Sequence, residues 1–127
     1  MKARRTTEDY VKVIYLLSQT DEEVHACQIC RKLNLSRPTV SVALRRMEKE
    51  GYLTIKDTNA INLTAQGTRL ARSICEKYRL LRDALLRLGV SLADATRDAC
   101  QMEHDISDAT SAALKKFLAQ EAVSRTE

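Results

Sequence analysis

Apolar residues recur at helical spacing along most of this chain, and they predict a largely helical protein. The first helix is expected to begin at a cap formed by Thr6 or Thr7 and to end near Ser18. Its apolar stripe follows the i, i+3, i+4, i+7 spacing of one helix face and consists of Tyr10, Val13, Ile14 and Leu17.

Two further helices and a hairpin follow. The pattern predicts a short helix over 25–33 and a third helix over 38–50, because Pro38 suits a first helical turn and Gly51 suits the position after a helix. Short β-prone runs at 52–56 and 61–63, joined by a polar turn, then predict a hairpin.

The second half is helical throughout. Thr64 caps a long helix that ends near Leu88, and its last turns are apolar enough to predict a subunit interface. The leucines concerned are Leu80, Leu81, Leu85, Leu86 and Leu88. A further helix is expected from Ser91 to about Ser107, and Ser107 caps a final helix that frays from Gln120. The fold class is therefore mainly α.

Two helices with a tight connection, of which the second is basic, followed by a hairpin, are typical of a winged helix-turn-helix that binds double-stranded DNA. The residues expected nearest the bases are Ser36, Arg37, Pro38, Thr39, Ser41 and Val42, with Val42 offering an apolar contact to a thymine methyl. Those expected at the DNA backbone are Arg45, Arg46, Lys56, Thr58 and Asn59. A charged helical face is otherwise simply solvated.

Charge and composition agree with this assignment. The 127 residues carry a net charge of +4, and residues 1–63 hold eleven Lys/Arg against eight Asp/Glu. No apolar run approaches the ~20 residues of a membrane span, and we see no signal peptide. Without a membrane span or a signal peptide, we expect a cytoplasmic protein with no membrane partner. Its four cysteines are then expected to be reduced thiols.

The predicted helix after Ser91 carries a possible metal site. Cys100, Glu103 and His104 fall on one face, and a thiol, a carboxylate and an imidazole are donors that divalent transition metals accept. The alternative is a small core cysteine beside a solvated Glu–His pair. Two domains are therefore expected. Residues 1–63 form a winged-helix DNA-binding domain, and residues 64–127, which carry these donors, form a helical dimerisation and metal-binding domain.

From Thr6 to about Leu118 the chain resembles the family of metalloregulators that includes the diphtheria toxin repressor and the manganese transport regulator. Three blocks carry the resemblance: Thr6-Thr7-Glu8-Asp9-Tyr10, Arg37-Pro38-Thr39-Val40-Ser41 and Cys100-x-x-Glu103-His104-x-x-Ser107-Asp108. We see no trace of the SH3-like domain of the longer relatives, so a short form is expected.

The resemblance implies a homodimeric repressor of metal-homeostasis genes that binds operator DNA when one Mn²⁺ or Fe²⁺ per subunit is bound. It places the metal on Asp9, Cys100, Glu103 and His104. The position of Asp9 is Asp in the manganese branch, whereas that of Cys100 is Cys in the iron branch, so the choice of metal stays open. The second metal site of the family is expected to be lost, because Lys12, Tyr78 and Thr96 stand at ligand positions and Arg82 or Asp83 stands where a Glu is expected.

One alternative is a winged-helix regulator that senses oxidation through thiols such as Cys27-x-x-Cys30, with the Glu103–His104 pair merely structural. Catalysis and a small organic substrate are not expected. The chain has no His-Glu-x-x-His motif, no Gly-rich phosphate loop and no recognisable nucleophile–base pair.

Overall fold

The computed structural model describes residues 2–20 and 23–126, with side chains for residues 6–20 and 23–121. The elements in chain order are α1 (Lys2–Ser18), α2 (Ala26–Leu33), α3 (Arg37–Lys49), β1 (Leu53–Ile55), β2 (Ile61–Leu63), α4 (Ala65–Arg87), α5 (Leu92–Met102) and α6 (Asp108–Thr126). The predicted mainly α fold is confirmed. The chain divides into two compact units, Met1–Arg72 and Ser73–Glu127, and the predicted domain limits at 63 and 64 stay a prediction.

The core of the first unit is built by the apolar faces of α1, α2 and α3. Its most deeply buried members are Tyr10, Val11, Ile14, Ile29, Val40, Met47 and Leu53. Burying each of these side chains contributes about 1.5–3 kcal/mol, which makes this cluster the main stabilising feature of the unit. Val11, which the stripe pattern left out, is fully buried, whereas Val13 is only half-buried.

The helix-turn-helix is fixed by local backbone chemistry. Asn34 ends α2 in the left-handed region, at φ 54°, and its backbone N–H donates to the Cys30 carbonyl. Ser36 then precedes α3 in an extended conformation, and its hydroxyl accepts a hydrogen bond from the Thr39 N–H at 3.4 Å. Gly51 follows α3 with φ 89°, a conformation that favours glycine.

The hairpin is a two-stranded antiparallel sheet in which Leu53 pairs with Leu63 and Ile55 pairs with Ile61. It is fastened to its surroundings at two points. The Ile55 N–H donates to the Glu48 carboxylate of α3 at 2.9 Å, and the Ile61 N–H donates to the Val24 carbonyl at 2.9 Å. These bonds hold the wing beside the recognition helix α3.

In the second unit, ion pairs join α4 to α6. Lys77 Nζ lies 3.0 Å from Asp108 Oδ1, and Lys115 Nζ lies 3.3 Å from Glu76 Oε1. The Arg87 guanidinium donates to the Leu118 carbonyl at 3.0 Å. The buried apolar residues of this unit include Ile74, Leu80, Leu81, Ala95, Ala99 and Leu118.

Three expectations about helix limits are wrong. α5 ends at Met102 and does not reach Ser107, because the Ser107 hydroxyl caps α6 by accepting from the Thr110 N–H and the chain must turn before it. α1 begins at Lys2, so neither Thr6 nor Thr7 is its cap. α6 continues beyond Gln120 to Thr126.

Within the described residues, no helix combines the length and the apolar character that a membrane crossing requires.

Replacing Tyr10 with phenylalanine is expected to leave stability at neutral pH unchanged or to raise it by about 1 kcal/mol. The Tyr10 hydroxyl is buried and has no hydrogen-bond partner among the described residues. Burial, and then Cys30, raise the pKa of Tyr10, which Arg46 opposes. The unfolded chain therefore ionises first, so this residue costs stability as the pH rises above about 10.

Urea unfolding of both proteins at pH 7 and above pH 10 checks this, and the advantage of Tyr10→Phe should be larger in alkali. Tyr15→Phe serves as the matched control. A loss of more than about 1 kcal/mol at pH 7 would show that the hydroxyl is hydrogen-bonded after all.

Candidate nucleic-acid interface and metal centre

The recognition helix α3 has one buried and one exposed face. Val40, Ala43, Leu44 and Met47 point into the core, and the opposite face exposes the residues expected to contact DNA. Val42 is the most exposed large apolar residue of the helix, at 70%. Ser36, Arg37, Pro38, Thr39 and Arg45 are exposed as well, and Ser41 is half-buried. A valine exposed on a basic helix face is suited to contact an apolar group of a ligand.

The turn of the wing exposes Lys56, Thr58 and Asn59. Asn59 adopts a left-handed conformation at φ 66°, which asparagine tolerates better than most residues. The Lys56 N–H donates to the Ala60 carbonyl at 2.9 Å, which closes the turn. The basic and amide side chains at its tip are therefore presented on a defined backbone.

Arg46 differs from the other basic residues of α3. Its Nη1 atom lies 2.9 Å from Glu50 Oε1 and 3.3 Å from the Thr7 hydroxyl. The guanidinium is thus already engaged within the fold and ties α3 to α1. Its contact with DNA stays a prediction.

The predicted metal donors of the second unit lie where α5 ends. Cys100 is in the last turn of the helix and is exposed. Glu103 retains helical angles, φ −56° and ψ −26°, and its N–H donates to the Ala99 carbonyl. His104 is half-buried in the turn that follows. The three donors therefore follow one another over little more than one helical turn.

Glu103 is the most informative of these residues because its side chain is fully buried. A buried carboxylate is costly unless its charge is compensated, and coordination of a cation is one form of compensation. Oxygen, nitrogen and sulfur donors of this kind suit a first-row transition metal. The donor types present at this turn therefore suit a divalent ion.

Asp9 lies on α1 in the first unit and is half-buried, between the buried side chains of Glu8 and Tyr10. The burial of Glu8 was not expected. Glu8 lies one helical turn before Val11 and shares its face, and the predicted apolar stripe left out the burial of both residues.

No group of three or more His, Cys, Asp or Glu side chains that could hold a metal is found among the described residues. The ligand set of Asp9, Cys100, Glu103 and His104 therefore stays a prediction.

The positions expected to have lost the second metal site carry no constellation of carboxylates and imidazoles. The Arg82 guanidinium lies 5.4 Å from the centre of the Tyr78 ring, and its Nη2 atom is 3.6 Å from Asp83 Oδ1. Thr96 is half-buried. A fixed positive charge at this place disfavours a nearby cation.

The leucine-rich end of α4 is partly used within the single chain. Leu80 and Leu81 are buried, whereas Leu86 and Leu88 are 38% and 79% exposed. Leu92, Met102 and Phe117 are exposed in the same unit. These five side chains are the large apolar residues that the described part of this unit exposes, and they are available to contact a second subunit.

None of the four cysteines forms a disulfide. Cys27 is exposed, with its sulfur 4.0 Å from Arg31 Nη2, and Cys30 packs partly buried against the core. Cys30 thus has the packing role of a small core residue.

Two family models match consecutive parts of the chain. The N-terminal DNA binding domain of iron dependent repressors matches residues 2–61. The metal binding and dimerisation domain of iron dependent repressors matches residues 64–124.

Two proteins of similar sequence are named as a transcriptional regulator and a repressor. The transcriptional regulator MntR of Escherichia coli O6:H1 is 34% identical over 114 residues, which are 90% of this chain and 74% of that protein. The diphtheria toxin repressor of Corynebacterium diphtheriae is 32% identical over 114 residues, which are 89% of this chain and 50% of that protein.

Two solved structures of manganese-dependent regulators are similar to this chain. The manganese regulator SloR has a TM-score of 0.78 and 34% identity, over 89% of this chain and 53% of its own. A manganese-dependent transcriptional repressor in complex with manganese has a TM-score of 0.80 and 27% identity, with 89% and 52% coverage. The chain spans about half the length of these structures.

Proposed function

Because this chain belongs to the iron-dependent repressor family, we propose that it is a metal-activated repressor that binds operator DNA as a homodimer and controls genes of metal-ion homeostasis. The observation that carries the proposal is the presence in one chain of both family domains, over 2–61 and 64–124. The relatives are named as transcriptional regulators and repressors, and we propose no catalytic activity.

We propose Asp9, Cys100, Glu103 and His104 as the residues that hold the metal. A bound divalent ion would supply a positive centre shared by these donors. The two carboxylates and the imidazole favour Mn²⁺ or Fe²⁺, whereas the thiolate draws softer ions. The burial of Glu103 supports this assignment, since a buried carboxylate favours a cation beside it.

The regulation then follows from linkage. If Asp9 of the DNA-binding domain and the residues around Cys100 share one ligand, binding of that ligand favours the arrangement in which both are held together. Operator affinity rises only to the extent that this arrangement binds DNA better, which for such couplings is typically about 5–150-fold. The exposed leucines at the end of α4, Leu86 and Leu88, are the proposed centre of the dimer contact.

The test is a binding titration on a duplex selected from a random-sequence pool in the presence of Mn²⁺. Fluorescence anisotropy of the reduced protein under anaerobic conditions should show tighter binding with Mn²⁺ or Fe²⁺ than with chelator. Equal affinity with metal and chelator would refute the proposal. A response to hydrogen peroxide alone would support the thiol-based alternative, which none of the comparisons favours.

We expect one activating metal ion per subunit. Arg82 and Tyr78 occupy the region where a second ion would be needed, and the Arg82 guanidinium repels a cation there. Equilibrium dialysis against Mn²⁺ with elemental analysis measures the stoichiometry. Two ions bound cooperatively per subunit would contradict this expectation.

Replacing Val42 with alanine should remove the ability of the protein to distinguish thymine from uracil at one operator position. The exposed valine can contact the thymine methyl group, and losing such a contact costs about 1 kcal/mol. Wild type should bind the uracil-substituted duplex several-fold more weakly, and Val42→Ala should bind both duplexes equally. Equal discrimination by the two proteins would exclude Val42 from this contact, and Leu35→Ala is the exposed apolar control.

A further inference from the structure

A small cleft separates the recognition helix from the wing. It has a volume of about 140 Å³, and the residues of interest that line it are Arg37, Ser41, Arg45 and Asn59. The first three are spaced by four residues along α3 and so form one stripe. Asn59 faces them from the turn of the hairpin. All four belong to the first compact unit.

The charge of this cleft is unbalanced. No Asp or Glu is among its lining residues. Arg46, one residue further along α3, has its guanidinium on Glu50 and Thr7. Arg37 and Arg45 form no ion pair or hydrogen bond through their side chains with other described residues. Two guanidinium groups at one cleft, neither paired with another described residue, favour binding of an anion with several acceptor oxygens.

The size of the cleft limits that anion. A space of this volume accommodates a group of a few heavy atoms, such as a phosphate. Its floor is apolar, with Leu44 from α3 and Ile61 from β2 among its lining residues. A low-dielectric floor strengthens the attraction between the arginines and a bound phosphate.

We propose that Arg37 and Arg45 clamp a single phosphodiester of the DNA backbone in this cleft, with Ser41 and Asn59 donating to its remaining oxygens. The inference rests on the proposed DNA-binding function, because the cleft lies between the two elements that would contact the duplex. Under this proposal, Arg37 contacts the DNA backbone and not the bases, where the sequence had placed it. The clamp is independent of sequence and of metal, so it contributes equally to binding with Mn²⁺ and with chelator.

The dependence of affinity on salt concentration tests the clamp. The slope of log K against log salt is about −0.9 per neutralised phosphate. Both subunits of the proposed homodimer carry the substitutions, so removing both arginines from one phosphate per half-site should reduce the slope by about 1.8, whereas removing two separate contacts per half-site would reduce it by about 3.6. We expect the double variant Arg37→Ala/Arg45→Ala to show the smaller change. The larger change would overturn the clamp.

Neutralising single phosphates with methylphosphonate gives a second readout. One position per half-site should weaken wild-type binding by about tenfold and weaken binding of the double variant much less, because only the contacts of Ser41 and Asn59 remain there. Lys49→Ala, an exposed basic residue of α3 that does not line the cleft, should retain the full sensitivity. Full sensitivity that persists in the double variant at every position would also overturn the clamp.

Both measurements are made with Mn²⁺ and with chelator, at a salt concentration low enough to detect binding. If metal does not raise affinity, the proposed function fails, and the chelator arm still decides the clamp. If metal raises affinity by the same factor in wild type and double variant but the slope falls by about 3.6, only the clamp fails. Circular dichroism confirms that each variant is folded.

Discussion

Replacing His104 with alanine will abolish the increase in operator affinity that Mn²⁺ causes, while the protein remains folded and dimeric. Loss of a metal ligand weakens metal binding at least as much as loss of a supporting residue, which costs about 10–100-fold. At a Mn²⁺ concentration that just saturates the wild-type site, the variant stays largely metal-free, and the coupling between metal and DNA, about 5–150-fold, is lost. Anisotropy titrations with Mn²⁺ and with chelator should give one and the same affinity for this variant.

The chain offers a matched control for this substitution. His25 is the other histidine, and its Nε2 atom lies 3.3 Å from Glu23 Oε2, next to α2. His25→Ala should keep the full metal response. A normal response in His104→Ala, together with wild-type metal affinity, would remove this residue from the ligand set.

Replacing Gly67 with alanine should destabilise the first unit by about 3 kcal/mol. Gly67 lies in the first turn of α4, and a Cβ atom there would come within 2.1 Å of the Tyr52 carbonyl oxygen and 3.2 Å of a Leu63 methyl. That carbonyl accepts a hydrogen bond from the Thr64 N–H at 3.0 Å. The backbone must therefore move and break this bond to admit a single methyl group.

Helix propensity predicts the opposite sign. In an exposed helix, alanine is about 1 kcal/mol more favourable than glycine, so the two effects are separated by the direction of the change. Urea unfolding of Gly67→Ala decides between them, with the exposed neighbour Gln66→Ala as control. A variant as stable as wild type would mean that the contact with Tyr52 relaxes at little cost.

Local chemistry made much of the fold predictable. Pro38 and Gly51 marked the limits of the recognition helix to within one or two residues. The two β-prone runs and the polar turn between them predicted the hairpin, and the observed strands lie within those runs. These features depend on a residue and its immediate neighbours, which the sequence displays directly.

Features that depend on distant residues were not predictable in this way. The engagement of Arg46 by Thr7 requires α1 beside α3. The close approach of Gly67 to Tyr52 likewise appears only when the wing packs on α4.

The candidate metal site shows the same difference between residues that are close in sequence and residues that are distant. Cys100, Glu103 and His104 are close in sequence, so their spacing sufficed to propose them as one ligand set, and that set stays a prediction. Nothing local relates them to Asp9, which entered only through the resemblance to a family. The burial of Glu103 is new information from the structure, and it strengthens the case for a cation at this turn.

The central claim is that Asp9 shares one metal ion with Cys100, Glu103 and His104. The most direct test is the dissociation constant of Co²⁺, read from the thiolate-to-metal charge-transfer absorption that a cysteine ligand produces, in wild type and in Asp9→Asn. The account predicts that Asp9→Asn retains the absorption band but binds Co²⁺ at least about tenfold more weakly. An unchanged band with an unchanged dissociation constant would contradict it.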